Sequence, residues 1–241
     1  MRKDAPAFWQ LAGPRHGPLP LFLLALTLVT GLVDAVSVLR LGRVFVANMT
    51  GNVVFVGFAI AGAPGFSLIA SLVALAGFLV GASGGGGLVA RFGGDRARLL
   101  QITAAIELVL MAAATVGAAL WLPSSTFAIY VVAALLSPAM GVQNAAARRL
   151  AVPDATTTVL TMTLTGIAAD LRSHQPPRAV ARRLVAVVTM LVGAIVGALL
   201  VLHVAAWLPL GIAALLAAVV VAGIEITARS GEAWREPAGA S

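Results

Sequence analysis

Asp34 and Glu107 stand inside runs apolar enough to cross a bilayer, in a chain with only 10% charged residues. Asp34 lies about fifteen residues into the first such run, and Glu107 near the middle of the third. An acid at that depth costs at least ~2.5 kcal/mol to insert, so it marks a partner, a proton path or a ligand. The run VFVANMTGNVVFVG, from Val44 to Gly57, gathers Asn48, Thr50 and Asn52 around Gly51. Polar groups in hydrocarbon have to be met by protein or face a water-filled cavity. Amides and hydroxyls so placed either bind a small polar solute or fasten helices together. Gln143 and Asn144 form a second amide pair, and Thr161 and Thr163 fall in a threonine-rich stretch, TTTVLTMTLTGIAADL. For the two acids the alternatives are charge or proton coupling, or a hydrogen-bonded carboxyl tying two helices.

Other chemistries find no support. There are no cysteines, so thiol chemistry and Cys-ligated metals are excluded. His16, His174 and His203 are isolated, with no HExxH, so no metal and no other cofactor is expected. No phosphate-binding Gly-Lys-Ser/Thr loop occurs. Gly81-Ala82-Ser83-Gly84 resembles the serine motif of intramembrane proteases, with His203 as the candidate base. A serine needs its base within hydrogen-bond reach. Ser83 and His203 fall near opposite ends of their spans, roughly 20 Å apart in depth at 1.5 Å per residue. The chain is therefore not expected to be an enzyme.

The elements that must position these residues are membrane helices. The chain is 60% hydrophobic with a mean hydropathy of +1.01, against roughly 25% charged residues in a soluble domain. Six segments are long enough to span: Leu19–Leu39, Ser67–Ala90, Leu99–Leu122, Phe127–Ala147, Ala179–His203 and Ala206–Thr227. Val44–Gly62 and Thr156–Leu171 are shorter or more polar. If neither crosses and the amino terminus is cytoplasmic, the Lys and Arg residues divide 14 inside to 2 outside, Arg40 and Arg43. That is the bias the positive-inside rule expects, and it accounts for the net charge of +7 without nucleic acid. A seven-span alternative, with Val44–Gly62 crossing and the start outside, divides 13 to 3. The expected organisation is a cytoplasmic tail (1–18), one transmembrane domain (19–228) and a second cytoplasmic tail (229–241).

Internal similarity suggests two halves, about 19–122 and 127–227. Gly31-Leu-Val-Asp34-Ala35 resembles Gly141-Val-Gln-Asn144-Ala145 at an offset of 110. Thr50-Gly51-Asn52 aligns with Thr161-Met162-Thr163 at 111, and Leu79–Ala82 with Leu191–Ala194 at 112. Three spans per half make the copies inverted, one odd segment entering from each side as a broken or re-entrant helix, the alternative being that both are tilted or interfacial helices. Gly81–Gly85 and Gly193–Gly197 are GxxxG spacings suited to close helix packing.

Asp34, the Phe45–Asn52 run and Gly141-Val-Gln-Asn-Ala-Ala-Ala-Arg-Arg-Leu150 together resemble the YoaK-like family of bacterial membrane proteins, over essentially Leu19 to Thr227. The family often has Thr-Gly-Thr where this chain has Thr161-Met162-Thr163, which removes a glycine-dependent bend there. The resemblance implies an inner-membrane location and about six helices, and it carries no activity. The leading expectation is therefore physical: an all-α bundle acting as a small-molecule permease or channel. Its candidate residues are Asp34, Asn48, Thr50, Gly51, Asn52, Glu107, Gln143, Asn144, Thr161 and Thr163. The alternative is a non-transporting scaffold in which these groups lock helix packing. Expected partners are the lipid bilayer and a small-molecule substrate, with a second copy of the chain an open alternative.

Overall fold

The computed structural model describes residues 16–122, 125–152, 160–170, 177–229 and 233–236, and the regular elements among them are all helical. In chain order these are α1 (Leu19–Arg40), α2 (Met49–Ile60), α3 (Leu68–Phe92), α4 (Arg96–Trp121), α5 (Thr126–Leu150), α6 (Leu160–Asp170), α7 (Pro177–His203) and α8 (Leu208–Ala228). A single 3-10 turn, Ala233–Arg235, follows. Six helices are long and apolar enough to cross a membrane, and α2 and α6 are the two that are not.

Local chemistry sets the helix ends. Ser67 Oγ accepts from the Ala70 N–H at 3.2 Å, Asp95 Oδ1 from Arg98 N–H at 3.0 Å, and Ser125 Oγ from Phe127 N–H at 3.2 Å. Each satisfies a donor that the first helical turn leaves open. α1 and α8 carry proline in their first turn, where the missing N–H costs nothing. α1 stops where Gly42 and Arg43 adopt positive φ, +85° and +57°, and turn the chain back.

Contacts between helix ends sort the molecule into two faces. His16 Nδ1 lies 3.2 Å from the Arg96 guanidinium, which also donates to Leu150 O at 2.8 Å. Arg149 donates to Gly93 O, and Arg235 pairs with Asp95 at 2.6 Å. One face therefore holds the start of α1, the end of α3, the start of α4, the end of α5 and the chain beyond α8. On the opposite face Arg40 donates to Val201 O at 3.2 Å, joining the ends of α1 and α7. Arg91, Arg96, Arg98, Arg148, Arg149, Arg229 and Arg235 gather at the first face, while Arg40 and Arg43 mark the second.

These contacts decide the span count. A Cβ on Gly42 would lie 3.3 Å from Ser67 Cβ, and one on Gly65 would lie 2.9 Å from Arg43 Nη1. The chain leaving α1 thus returns to the face it left, and α2, a 12-residue helix, dips and comes back. α5 ends and α7 begins on the arginine-rich face, and α6, the described helix between them, has 11 residues, too few to cross. Among the described residues six helices cross, and the seven-span alternative, with Val44–Gly62 crossing, is set aside.

Packing follows the repeat. α1 lies along α7, as α5 lies along α3; α4 lies against α5, α8 against α1, and α4 against α8. A Cβ on Gly31 would fall on Met190 O and lie 2.8 Å from Ala194 N. One on Gly141 would fall on Phe78 O and lie 2.6 Å from Ala82 N. A Cβ on Gly197 would lie 2.8 Å from Ala35 Cβ, and one on Gly85 2.7 Å from Ala145 Cβ. Every contact in one set maps to the other at the offsets read from sequence, so the halves are related by an inverted pseudo-twofold. The GxxxG pairs of α3 and α7 each grip the first helix of the other half, where small residues let backbones approach.

α1, α8, α4 and α5 form the centre, with α1 and α5 touching only sparsely. Two apolar clusters fill it. One, toward the face carrying Arg40, includes Val33, Val36, Met111, Leu136 and Leu210. The other, toward the arginine-rich face, includes Leu19, Leu23, Leu100, Leu150 and Ile224. α3 and α7 flank this centre and present most of their length outward.

Candidate functional site

The segment before α2 carries an unusual density of polar contacts for an apolar environment. Its non-helical residues Phe45–Ala47 offer backbone groups that no helix satisfies. Asn52, fully buried one turn into α2, meets two of them: its Oδ1 accepts from Phe45 N–H at 2.8 Å, and its Nδ2 donates to Phe45 O. The amide thus copies a strand-like pairing with one residue. The Asp34 carboxylate faces the N–H groups of Val46 and Ala47, satisfying the next two donors from α1. Gly51 is required here, since a Cβ would lie 2.7 Å from the Phe45 ring. That ring stacks on Phe55 at 5.7 Å, and Phe55 continues to Phe66 at 5.1 Å. Asp34, Gly51 and Asn52 therefore act together to hold a re-entrant turn. Asn48 and Thr50 point outward and are exposed.

Arg40 does not serve Asp34. The sequence places it six residues on, within imperfect reach; in the structure it donates to Val201 O of α7. Asp34 Oδ1 is left without a hydrogen-bond partner among the described residues.

A second polar group lies deeper, at the boundary between the two apolar clusters. Thr27 and Thr30 of α1, Thr103 and Glu107 of α4, and Gln143 of α5 are each at most 1% exposed. Gln143 Nε2 donates to Thr30 Oγ1 at 3.2 Å and lies 3.5 Å from Leu26 O. This is a polar bridge across the sparse α1–α5 contact. Both Glu107 oxygens and Gln143 Oε1 are buried without a hydrogen-bond partner among the described residues. Buried polar atoms are paired in the great majority of cases, so three in one layer call for a reason.

The remaining candidates lie apart. Asn144 holds the place in α5 that Asp34 holds in α1, and donates to Met140 O at 2.8 Å. Inversion puts it nearer the arginine-rich face, so Asn144 and Asp34 stand at opposite depths. In α6, Thr163 is buried and Thr161 is exposed, its carbonyl accepting from Thr165 Oγ1. Residues 156–159, the start of the threonine run, lie outside the described residues, as do His174 and the tail before His16. Ser83 is exposed toward the arginine-rich end of α3, and His203 ends α7 on the other face. Among the described residues no group of three or more His, Cys, Asp or Glu could hold a metal ion.

Outside the spans, Asp95 closes the arginine-rich face. Partial burial pushes its carboxyl up, but the Arg235 hydrogen bond and charge and the Arg98 and Ala97 N–H groups outweigh this. They hold it below its usual value of 3.8.

Sequence reasoning missed the threonines of the deep layer. A signal existed: Thr27 and Thr30, and Thr103 and Glu107, sit three and four residues apart on one helical face each. It also missed Phe45 as the partner of Asn52, for which the sequence carries no signal.

The family described as "Protein of unknown function (DUF1275)" matches residues 22–222. The UPF0700 transmembrane protein YoaK of Bacillus subtilis (strain 168) is 31% identical over 218 residues, covering 85% of this chain and 91% of that protein. No solved structure matches the chain. With six membrane-spanning helices, two short helices at the expected segments and these matches, the chain belongs to the YoaK-like DUF1275 family of multi-pass membrane proteins.

Proposed function

We propose that this protein is a small-molecule permease or channel of the bacterial inner membrane, with both termini and the arginine-rich face in the cytoplasm. The observation that carries the reading is the inverted packing. Two halves related by an in-plane pseudo-twofold, each with one short helix, meet across a sparse α1–α5 contact lined by buried polar groups. This is a recurring plan of transporters, whose sites lie at the repeat interface. Asp34 supplies charge beside one short helix, and the Glu107 layer supplies polar groups at mid-depth. The lipid bilayer is the immediate partner, and no catalysis is assigned.

One observation favours a second reading, a non-transporting scaffold. Asn52 spends both ends of its amide on Phe45, as a packing lock would. Uptake by proteoliposomes across a broad panel of small solutes separates the two. Transport predicts uptake above empty liposomes for at least one solute, reduced by Asp34→Asn, which replaces one carboxylate oxygen by an amide donor. Background flux for every solute supports the scaffold.

A further inference from the structure

The deep layer has more hydrogen-bond acceptors than donors. The hydroxyl protons of Thr27, Thr30 and Thr103 are given to Leu23 O, Leu26 O and Leu99 O of their own helices, at 2.8–2.9 Å. The Gln143 amide protons go to Thr30 Oγ1 and Leu26 O. Ser137, the buried hydroxyl of α5, faces Gly77 of α3 and so lies on another side of the helix. What remains is three oxygens, Glu107 Oε1 and Oε2 and Gln143 Oε1, each buried and without a hydrogen-bond partner among the described residues. They lie at one level. A Cβ on Gly117 would lie 3.7 Å from Val132 Cγ2, which fixes the antiparallel register of α4 and α5. Ten residues further toward the arginine-rich face are Glu107 on one helix and Val142, next to Gln143, on the other.

Among the described residues no cationic side chain hydrogen-bonds to these oxygens. Between its terminal residues α8 carries no charge before Glu225, α5 none before Arg148 and α3 none before Arg91. Tyr130 of α5 lies toward the opposite face, and Asp34 of α1, the other buried carboxylate, is engaged with Val46 and Ala47. A lone carboxylate in this setting is costly unless a positive charge or a proton accompanies it.

We propose that the Glu107 layer is a binding site for one compact monovalent cation, with Glu107 as counter-charge and Gln143 Oε1 as a neutral ligand. The chemistry is shared by a proton, a sodium ion and a small ammonium. This rests on the permease reading, since it assigns the repeat-interface layer a coupling or transported ion.

The test measures binding, so it stands apart from the uptake assay: a permease for neutral solutes alone passes that assay and fails this one. Detergent-solubilised protein is melted in sodium, methylammonium and choline chloride at equal ionic strength, alongside Glu107→Gln. In parallel, infrared spectra of the wild type follow the protonated-carboxyl carbonyl band from mildly acidic to mildly alkaline pH. A midpoint raised by a few degrees in sodium or methylammonium over choline, and flat in Glu107→Gln, identifies the metal or ammonium source. Equal midpoints in the three salts, with a buried carboxyl band that vanishes on alkalinisation, identify the proton. The proposal is overturned if Glu107→Gln responds to cations as the wild type does. It is also overturned if the salts are equivalent and the band is absent or unchanged across the pH range. Should Glu107→Gln fail to fold, the wild-type salt series and infrared titration decide alone.

Discussion

Replacing Asn52 by alanine should unlatch the re-entrant segment without unfolding the bundle. The side chain makes two hydrogen bonds to one residue, from Phe45 N–H at 2.8 Å and to Phe45 O. Each is worth about 1 kcal/mol net, and the average between membrane helices is nearer ~0.6 kcal/mol. Alanine also strands the Phe45 N–H and carbonyl in an apolar setting. The loss is then about 2 kcal/mol, which makes local opening ~30-fold more frequent at 1.36 kcal/mol per decade. The chain has no native cysteine, so a single reporter is unambiguous. Val44→Cys suits, because Val44 is fully buried against the segment. Modification by a membrane-impermeant maleimide, added from either side, should be slow in Val44→Cys and about 30-fold faster with Asn52→Ala present. Asn52→Asp keeps an acceptor for Phe45 N–H but sets a carboxylate oxygen against Phe45 O, and should label at least as fast as the alanine variant. A rate within about twofold of the parent would refute the lock, since each bond is then worth little.

The inverted packing makes paired predictions. Gly81→Val and Gly193→Val would drive a side chain into Pro138 O and Leu28 O respectively, so each should lower the thermal midpoint in detergent by a similar amount, from a cost of about 1–3 kcal/mol. Gly84→Val, at a position with open space around it, should leave the midpoint unchanged. At the arginine-rich face, the low Asp95 carboxyl makes its pairing with Arg235 pH-dependent. The native form binds the Asp95 proton less tightly than the unfolded chain, so the contribution is present above the usual 3.8 and lost as pH falls through the lower native value. Acid below that value should release the Ala233–Arg235 turn, read as exposure of the buried Trp234 by a red shift of its fluorescence. Arg235→Ala should show that release already at neutral pH, and Asp95→Asn should make it independent of acid.

The spans were readable from sequence because hydropathy and the arginine distribution report on the same boundary. Ser67–Ala90 and Phe127–Ala147 fall within two or three residues of α3 and α5. The charge that ends each apolar run still lies within its helix, so Arg96 and Arg148 are helix residues rather than loop residues. The repeat was readable too, since Gly31 and Gly141 need the same missing Cβ. Its partners were not: spacing says that Gly193 packs closely, but only the fold says that it packs on α1. The same limit applied to the polar residues. Asn52 is expensive wherever it sits in hydrocarbon, yet whether it faces a solute or Phe45 depends on a turn at Gly42 and Arg43 that fixes the angle of re-entry. Thr50 shows the other side of this, since it belongs to the same motif and points outward. Glu107 was legible as an acid at mid-span, and its lack of partners was not, because that depends on α5, α8 and α3 together.

The grip of α7 on α1, and of α3 on α5, bears on how the chain is made. A ribosome delivers α1 and α3 to the bilayer well before their partners exist, so the first half enters the membrane with its two glycine-lined seams open. α3 closes once α5 arrives, but α1 waits for α7, synthesised some 150 residues later. Neither half can close its glycine seams alone, since each is gripped by a helix of the other half. Co-expression of the two halves as separate polypeptides should therefore rescue both from degradation, whereas either half by itself should be short-lived. The ancestral arrangement this geometry fits is a pair of identical chains inserted in opposite orientations, each clasping the other before they were fused into one.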